Sequence, residues 1–208
     1  MGGCYNLGLM YDNGDGVKQD KIKAKELYTK ACDGGYAEGC FKLGAMYFIG
    51  DGVRQDKIKA KEFFTKACDG GYMEGCYNLG LMYYKGDGVR EDKIKAKELY
   101  TKACDGGYMG GCVNLGVMYK KGDGVEQDNI KAKELYTKAC DGGDMVGCVN
   151  LGLMYKKGDV VREDKIKAKE LFTKACDGGY MGGCVNLGLM YYEGVVWSWN
   201  DVDFVSWM

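Results

Sequence analysis

From residue 37, apolar or small side chains fall at Cys40, Leu43, Gly44 and Tyr47, the i, i+3, i+4, i+7 spacing of one helix face. From residue 57 the spacing recurs, with Ala60, Phe63, Phe64 and Ala67 on one face and Lys59, Lys61, Glu62 and Lys66 toward water. The pattern predicts two helices, here the LG helix and the KAKE helix. The first stops at Gly50, and the loop from Asp51 to Gln55 leads to Asp56, a good N-cap before Lys57. Gly70-Gly71 ends the second, where a residue of positive φ is usually required. Glu62 precedes Lys66 by four residues, a pair worth a few tenths of a kcal/mol.

The pair is copied along the chain. I-K-A-K-E begins at Ile22, Ile58, Ile94, Ile130 and Ile166, always 36 residues apart, and T-K-A-C-D-G-G and L-G-x-M-Y keep the same period. The units expected are 1–36, 37–72, 73–108, 109–144 and 145–180, then a sixth LG helix over 181–194 and an aberrant tail, 195–208. Two short helices cannot bury their faces alone, so the units should stack into an all-α solenoid with one continuous core.

Ten of the 11 cysteines follow the same ruler as C-x7-C pairs: Cys32 with Cys40, Cys68 with Cys76, Cys104 with Cys112, Cys140 with Cys148, and Cys176 with Cys184. Each pair straddles a Gly-Gly turn, and antiparallel packing would bring its two Cα atoms within bridging range. A loop this short would gain about 2.5 kcal/mol per disulfide in the loop-entropy model. Metal binding and reduced, packed thiols compete with that reading. Zinc favours C-x2-C spacing, whereas packed thiols require no pairing at every turn, so the pattern favours disulfides and an oxidising compartment.

Cys4 would be the second member of a pair whose first member lies upstream. The opening Met-Gly-Gly-Cys matches residues 109–112 and 181–184 and is no signal segment. The start is therefore expected to be internal to a longer exported protein. The tail carries all three tryptophans of the chain and leaves the repeat template abruptly, which predicts either a frameshift scar or a cap over the last helix.

Composition then narrows the chemistry. With no histidine there is no Ser-His-Asp or Cys-His pair and no His-ligated zinc or haem. Lys plus Arg number 29 against 30 Asp plus Glu, a net charge of −1, so no global basic field points to nucleic acid. No apolar run of about 20 residues predicts a membrane span. No metal or cofactor is expected, and Asp12-Asn13-Gly14-Asp15-Gly16 lacks the spacing of an EF-hand.

Leu-Gly-x-x-Tyr, Gly-x-Gly-Val, Lys-Ala and the terminal Gly of each unit resemble the Sel1-like repeat, a relative of the tetratricopeptide repeat. Period 36 with a C-x7-C staple at every junction looks more narrowly like the Helicobacter cysteine-rich protein family. The resemblance covers residues 1–194. It implies a secreted, disulfide-bridged, right-handed α/α superhelix, with a β-lactamase or penicillin-binding label and roles in meeting host proteins. The catalytic label fails a residue test: Ser198 and Ser206 are the only serines, neither is followed by Lys three residues on, and metallo-enzymes of that class need histidine. Thr29, Thr65, Thr101, Thr137 and Thr173, each followed by Lys, read as solvated helix residues.

Between units the KAKE helix barely changes, whereas the LG helix varies at Phe41, Tyr77 and Val113, and at its end in Phe48-Ile49, Tyr84-Lys85, Lys120-Lys121 and Lys156-Lys157. In tetratricopeptide-type solenoids the corresponding helix lines the concave face. By that resemblance, Phe41, Phe48, Tyr77, Tyr84, Lys85, Lys120, Lys121, Lys156 and Lys157 would face a groove for a peptide, glycan or host protein. Drift of duplicated units wherever packing allows competes with this, as do a penicillin binder or weak β-lactamase taking β-lactam or peptidoglycan fragments, and a gene remnant. A monomer in the periplasm or outside the cell is expected.

Overall fold

The computed structural model describes residues 2–158 and 164–194; the tail at 195–208, with its expected cap or scar, lies outside them. The described residues form an all-α chain: α1 (Gly2–Asn13), α2 (Lys21–Asp33), α3 (Ala37–Ile49), α4 (Lys57–Asp69), α5 (Met73–Lys85), α6 (Lys93–Asp105), α7 (Met109–Lys121), α8 (Asn129–Asp141), α9 (Met145–Lys157), α10 (Lys165–Asp177) and α11 (Met181–Tyr192). Odd helices are LG helices and even ones KAKE helices. The chain divides into two compact units, Met1–Gly111 and Cys112–Met208.

The same local rules build both units. Asp56 is extended, and its Oδ1 accepts from the N–H groups of Ile58 and Lys59 at 3.1 and 3.0 Å, satisfying donors that a helix start leaves bare. At the other end of the loop Gly50 sits at φ 87°, and its N–H returns to the Met46 carbonyl at 2.8 Å. Gln55 Nε2 then donates to the Phe48 carbonyl at 2.8 Å, closing the turn. In Gly70-Gly71 only the second glycine is left-handed, at φ 89°, while Gly70 stays at −75°.

Two glycine contacts lock the helices together. A Cβ on Gly44 would lie 2.6 Å from the Phe64 ring, which is buried at 3% exposure, so the KAKE ring of a hairpin rests directly on its own LG helix. Tyr28 on Gly8 and Tyr100 on Gly80 repeat this in the first unit, as do Tyr136 on Gly116 and Phe172 on Gly152 in the second. Between hairpins a Cβ on Gly39 would meet the Ala31 side chain at 2.8 Å, so α2 and α3 pack small residue on small residue. One cluster accordingly spans Ala24, Tyr28, Cys32, Cys40, Leu43, Met46 and Ala67, crossing from one hairpin to the next.

The expected single stripe proves too narrow. In α3 the buried set includes Met46, while Tyr47 is half-buried and stacks on Phe63 at 5.6 Å. Helices α3, α5 and α9 each touch the KAKE helix of their own hairpin and that of the preceding one, which widens the buried arc. Lys61, expected in water, is half-buried.

The cysteines bridge. Cys32–Cys40, Cys68–Cys76, Cys140–Cys148 and Cys176–Cys184 are disulfides with Cα separations of 4.6, 4.5, 4.5 and 4.6 Å. Cys104 and Cys112 are disulfide-bonded as well, and Cys4 is a free, half-buried thiol.

Candidate interaction surface

Beside its core stripe, each LG helix carries a second face. In α3 it comprises Glu38, Phe41, Lys42, Ala45, Phe48 and Ile49; in α5, Glu74, Tyr77, Asn78, Leu81, Tyr84 and Lys85, every one at least partly accessible. The helical spacing of these positions makes a continuous strip.

The variable residues on this strip divide into two groups. The aromatic ones are spent on packing. Phe41 lies 5.7 Å from the Phe64 ring and 5.0 Å from that of Tyr72, and Tyr77 is held in the same way by Tyr100 and Tyr108 at 5.9 and 5.0 Å. Phe48 and Tyr84 each sit under the first lysine of the following helix, Lys57 or Lys93, with the ammonium 5.7 Å from the ring centre. In α1 the same position is Asp12, which accepts from Lys21 Nζ at 2.6 Å and from the Tyr28 hydroxyl at 3.0 Å. In α1, α3 and α5 this position therefore serves the lysine that opens the following helix. The Lys21 ammonium also reaches Asp51 at 2.7 Å, so the acidic loops hold a lysine.

The basic residues are more available. Lys85 in the first unit, and Lys121 and Lys157 in the second, are exposed at the helix ends. Lys120 and Lys156 are half-buried, and Lys156 is paired with Glu193 at 2.8 Å.

Sequence reasoning missed a further row at the centre of the strip. Asn6, Asn78, Asn114, Asn150 and Asn186 occupy one position of the LG helix, with Lys42 replacing asparagine in α3. All but Asn6 are half-buried. Asn78 Nδ2 donates to the Glu74 carbonyl at 2.8 Å and Asn186 Nδ2 to the Gly182 carbonyl at 2.7 Å, which orients the amide along the helix. The signal was present in the repeat, but apolar periodicity says nothing about a polar position.

Groups that titrate near neutrality are what acid–base chemistry needs, and the shifted groups here move the other way. Burial, reinforced by Asp12, drives the Tyr28 phenol far upward, and burial with a bond to Glu74 does the same to Tyr72. Tyr136 is pushed up to about 12 by burial alone. Hydrogen bonds to Asp12 and Asp51 raise Lys21. The threonine row is not solvated as expected: Thr29, Thr65, Thr101 and Thr137 donate to the carbonyl four residues back at 2.8 Å and are half-buried. Ser198 and Ser206 lie outside the described residues. Among the described residues no three His, Cys, Asp or Glu side chains converge to hold a metal, and no helix is long and apolar enough to cross a membrane. Nothing in this chemistry favours β-lactam hydrolysis.

The Sel1 repeat model matches residues 2–36, 37–72, 74–108, 111–144, 146–180 and 183–196. No curated protein sequence matches the chain. Among solved structures, a protective antigen of uropathogenic Escherichia coli strains with an SLR fold is 35% identical, with a TM-score of 0.84 over 93% of this chain and 41% of that one. The present chain thus spans less than half of that antigen. A Sel1 repeat protein from Oxalobacter formigenes is 30% identical over 92% of this chain and 78% of its own, with a TM-score of 0.87. Helicobacter pylori cysteine rich protein B is 32% identical over 65% of this chain and 97% of its own, with a TM-score of 0.51. Repeats matched across almost the whole length, on an all-α solenoid of disulfide-stapled hairpins, establish that the chain belongs to the Sel1 repeat family.

Proposed function

We propose that this chain is a binding scaffold working outside the cytoplasm, its hairpins held rigid by disulfides, and that the accessible strip of its LG helices docks a peptide, glycan or protein partner. The observation that carries the reading is the asymmetry between the two helix types. The KAKE helices repeat almost unchanged, whereas the LG strip presents half-buried amides, exposed lysines and side chains that differ from unit to unit. Disulfides at the repeat junctions, and the likeness to a Helicobacter cysteine rich protein, support an oxidising location. Rigid hairpins lose little conformational freedom on binding, which favours affinity from a modest surface.

Site-specific photo-crosslinking tests it. A photoreactive residue at Ile49 or Lys121, both on LG helices, is expected to trap one defined partner in cells. The same residue at Ile58 or Ile130, exposed on KAKE helices, should trap none. Adducts formed from the KAKE positions instead would overturn the assignment of the surface.

A further inference from the structure

Helix α11 presents an uncovered face. Val149, Gly152 and Tyr155 of α9 are buried, with the Phe172 ring of α10 on Gly152, whereas their counterparts Val185, Gly188 and Tyr191 in α11 are exposed. No helix of the described residues follows α11 to cover them. What would complete this face is a segment with the apolar spacing of α10 and of the loop before it.

The residues after Gly194 keep that spacing. Gly158 and Gly194 follow α9 and α11 in the left-handed region, at φ 71° and 65°. Counting on by one period from Gly158 to Phe172 gives the register of the tail. Trp197 falls at the loop valine, which as Val53 or Val89 packs on the core of earlier units. Asn200 falls at the N-cap, where Asp164 accepts from the Lys167 N–H at 2.9 Å, and asparagine serves there equally well. Asp201 and Asp203 follow in the first turn, where negative charge meets the positive end of the helix dipole. Phe204, Trp207 and Met208 then fall at Ala168, Leu171 and Phe172, an i, i+3, i+4 stripe. In the first hairpin the last two of these positions are Leu27 and Tyr28, and both lie on Gly8.

Three departures from the template fit the same placement. Val196 stands where Gly52 and Gly88 are left-handed, but Val160 does so too and α10 forms beyond it. Ala168 is enclosed because α10 touches both α9 and α11, whereas a helix on α11 has one LG neighbour among the described residues, which leaves room for the Phe204 ring. Met208 replaces a ring over Gly188, and an unbranched side chain there yields to a methyl where a ring does not. An unrelated sequence arriving after residue 194 has no cause to keep polar and apolar residues in this order.

We propose that residues 195–208 cover α11 as an in-register counterpart of α10, a short helix from Asp201 laying Phe204, Trp207 and Met208 on the Val185, Gly188 and Tyr191 face. Two helical turns are not stable alone, so burial of these side chains is what holds the helix. The covering of α11 does not depend on what the strip binds.

All three tryptophans of the chain lie in the tail, so intrinsic fluorescence of the full, oxidised protein reports on it alone. In this register Trp197 and Trp207 are shielded, while Trp199 stands at the place of Gln19 and Gln55, which are exposed. Iodide is therefore expected to quench one tryptophan of the three; Trp199→Phe should abolish that quenchable fraction and Trp207→Phe should retain it. Val185→Asp should move the emission to longer wavelength and open Trp207 to iodide, whereas Ile130→Asp, at an exposed position of α8, should do neither. Quenching of all three tryptophans as freely as in urea, or emission unmoved by Val185→Asp, would overturn the inference. So would shielding that is lost on dilution, since the occupant of the face would then be a second copy of the chain.

Discussion

The octapeptide Cys-Val-Asn-Leu-Gly-Leu-Met-Tyr occurs twice in the second unit, at 148–155 in α9 and at 184–191 in α11, and the two copies live in different surroundings. Val149 is 8% exposed and Val185 54%; Tyr155 is 8% and Tyr191 40%. Gly152 carries the Phe172 ring, whereas a Cβ on Gly188 would meet nothing within 4 Å. Both copies are helical. Local sequence therefore determines the helix, and the following KAKE helix determines whether its face becomes core.

The contrast can be broken from the α10 side. Phe172 is fully buried on Gly152, so Phe172→Ala should expose α9 much as α11 is exposed and cost about 3–5 kcal/mol in urea unfolding. An unfolding midpoint unchanged from the parent would show that the ring is not what buries α9.

The disulfides sharpen it next. Cys140 and Cys148 are buried, while Cys176 and Cys184, which join α10 to α11, are both partly accessible. Thiol reductants reach accessible bridges first, so mass spectrometry of alkylated samples should find Cys176–Cys184 opened ahead of Cys140–Cys148. Removing the Cys140–Cys148 bridge by double alanine substitution should lower stability by about 2.5 kcal/mol.

The two glycines should respond with opposite sign. Gly152→Ala gains about 1 kcal/mol of helix propensity but overpacks a buried ring at about 1–3 kcal/mol, for a net loss. Gly188→Ala meets open space and should raise stability by about 1 kcal/mol. Thermal melting of the two variants checks this, and equal shifts would mean that the ring yields to the new methyl.

The smallest effect at neutral pH separates α8 from α10, which carry Tyr136 and Phe172 at the same position. Burial raises the Tyr136 phenol to about 12, against about 10 in an unfolded chain. Between those values the unfolded state loses a proton that the folded state keeps. Its contribution is thus complete below pH 10 and is lost as pH rises toward 12. Tyr136→Phe should flatten that part of the stability profile, measured by urea unfolding from pH 9 upward.

Much of this was legible in the residues. Asp56 as N-cap, Gly50 as helix stop and the C-x7-C staples follow from spacing and backbone chemistry, which act over a few residues. The candidate surface was legible only in outline. Phe41, Phe48, Tyr77 and Tyr84 vary between units, which suggested ligand contact, yet each packs against rings or a lysine of its neighbours. Variability along a sequence does not distinguish a side chain matched to a ligand from one matched to the adjoining helix. The asparagine row was overlooked because polar residues add nothing to an apolar period.

By itself the sequence determined the repeat, the alternation of two helix types, their caps and the pairing of cysteines eight residues apart, because hydrogen bonds and loop closure at that range depend on local order. Only the tertiary structure decided that a ring of one helix seats on a glycine of another, that Met46 is core and Tyr47 half outside it, and that Lys121 and Lys157 stay exposed while Lys156 is paired. Those outcomes depend on what stands across from each side chain, and identical octapeptides in α9 and α11 show that no local rule supplies it.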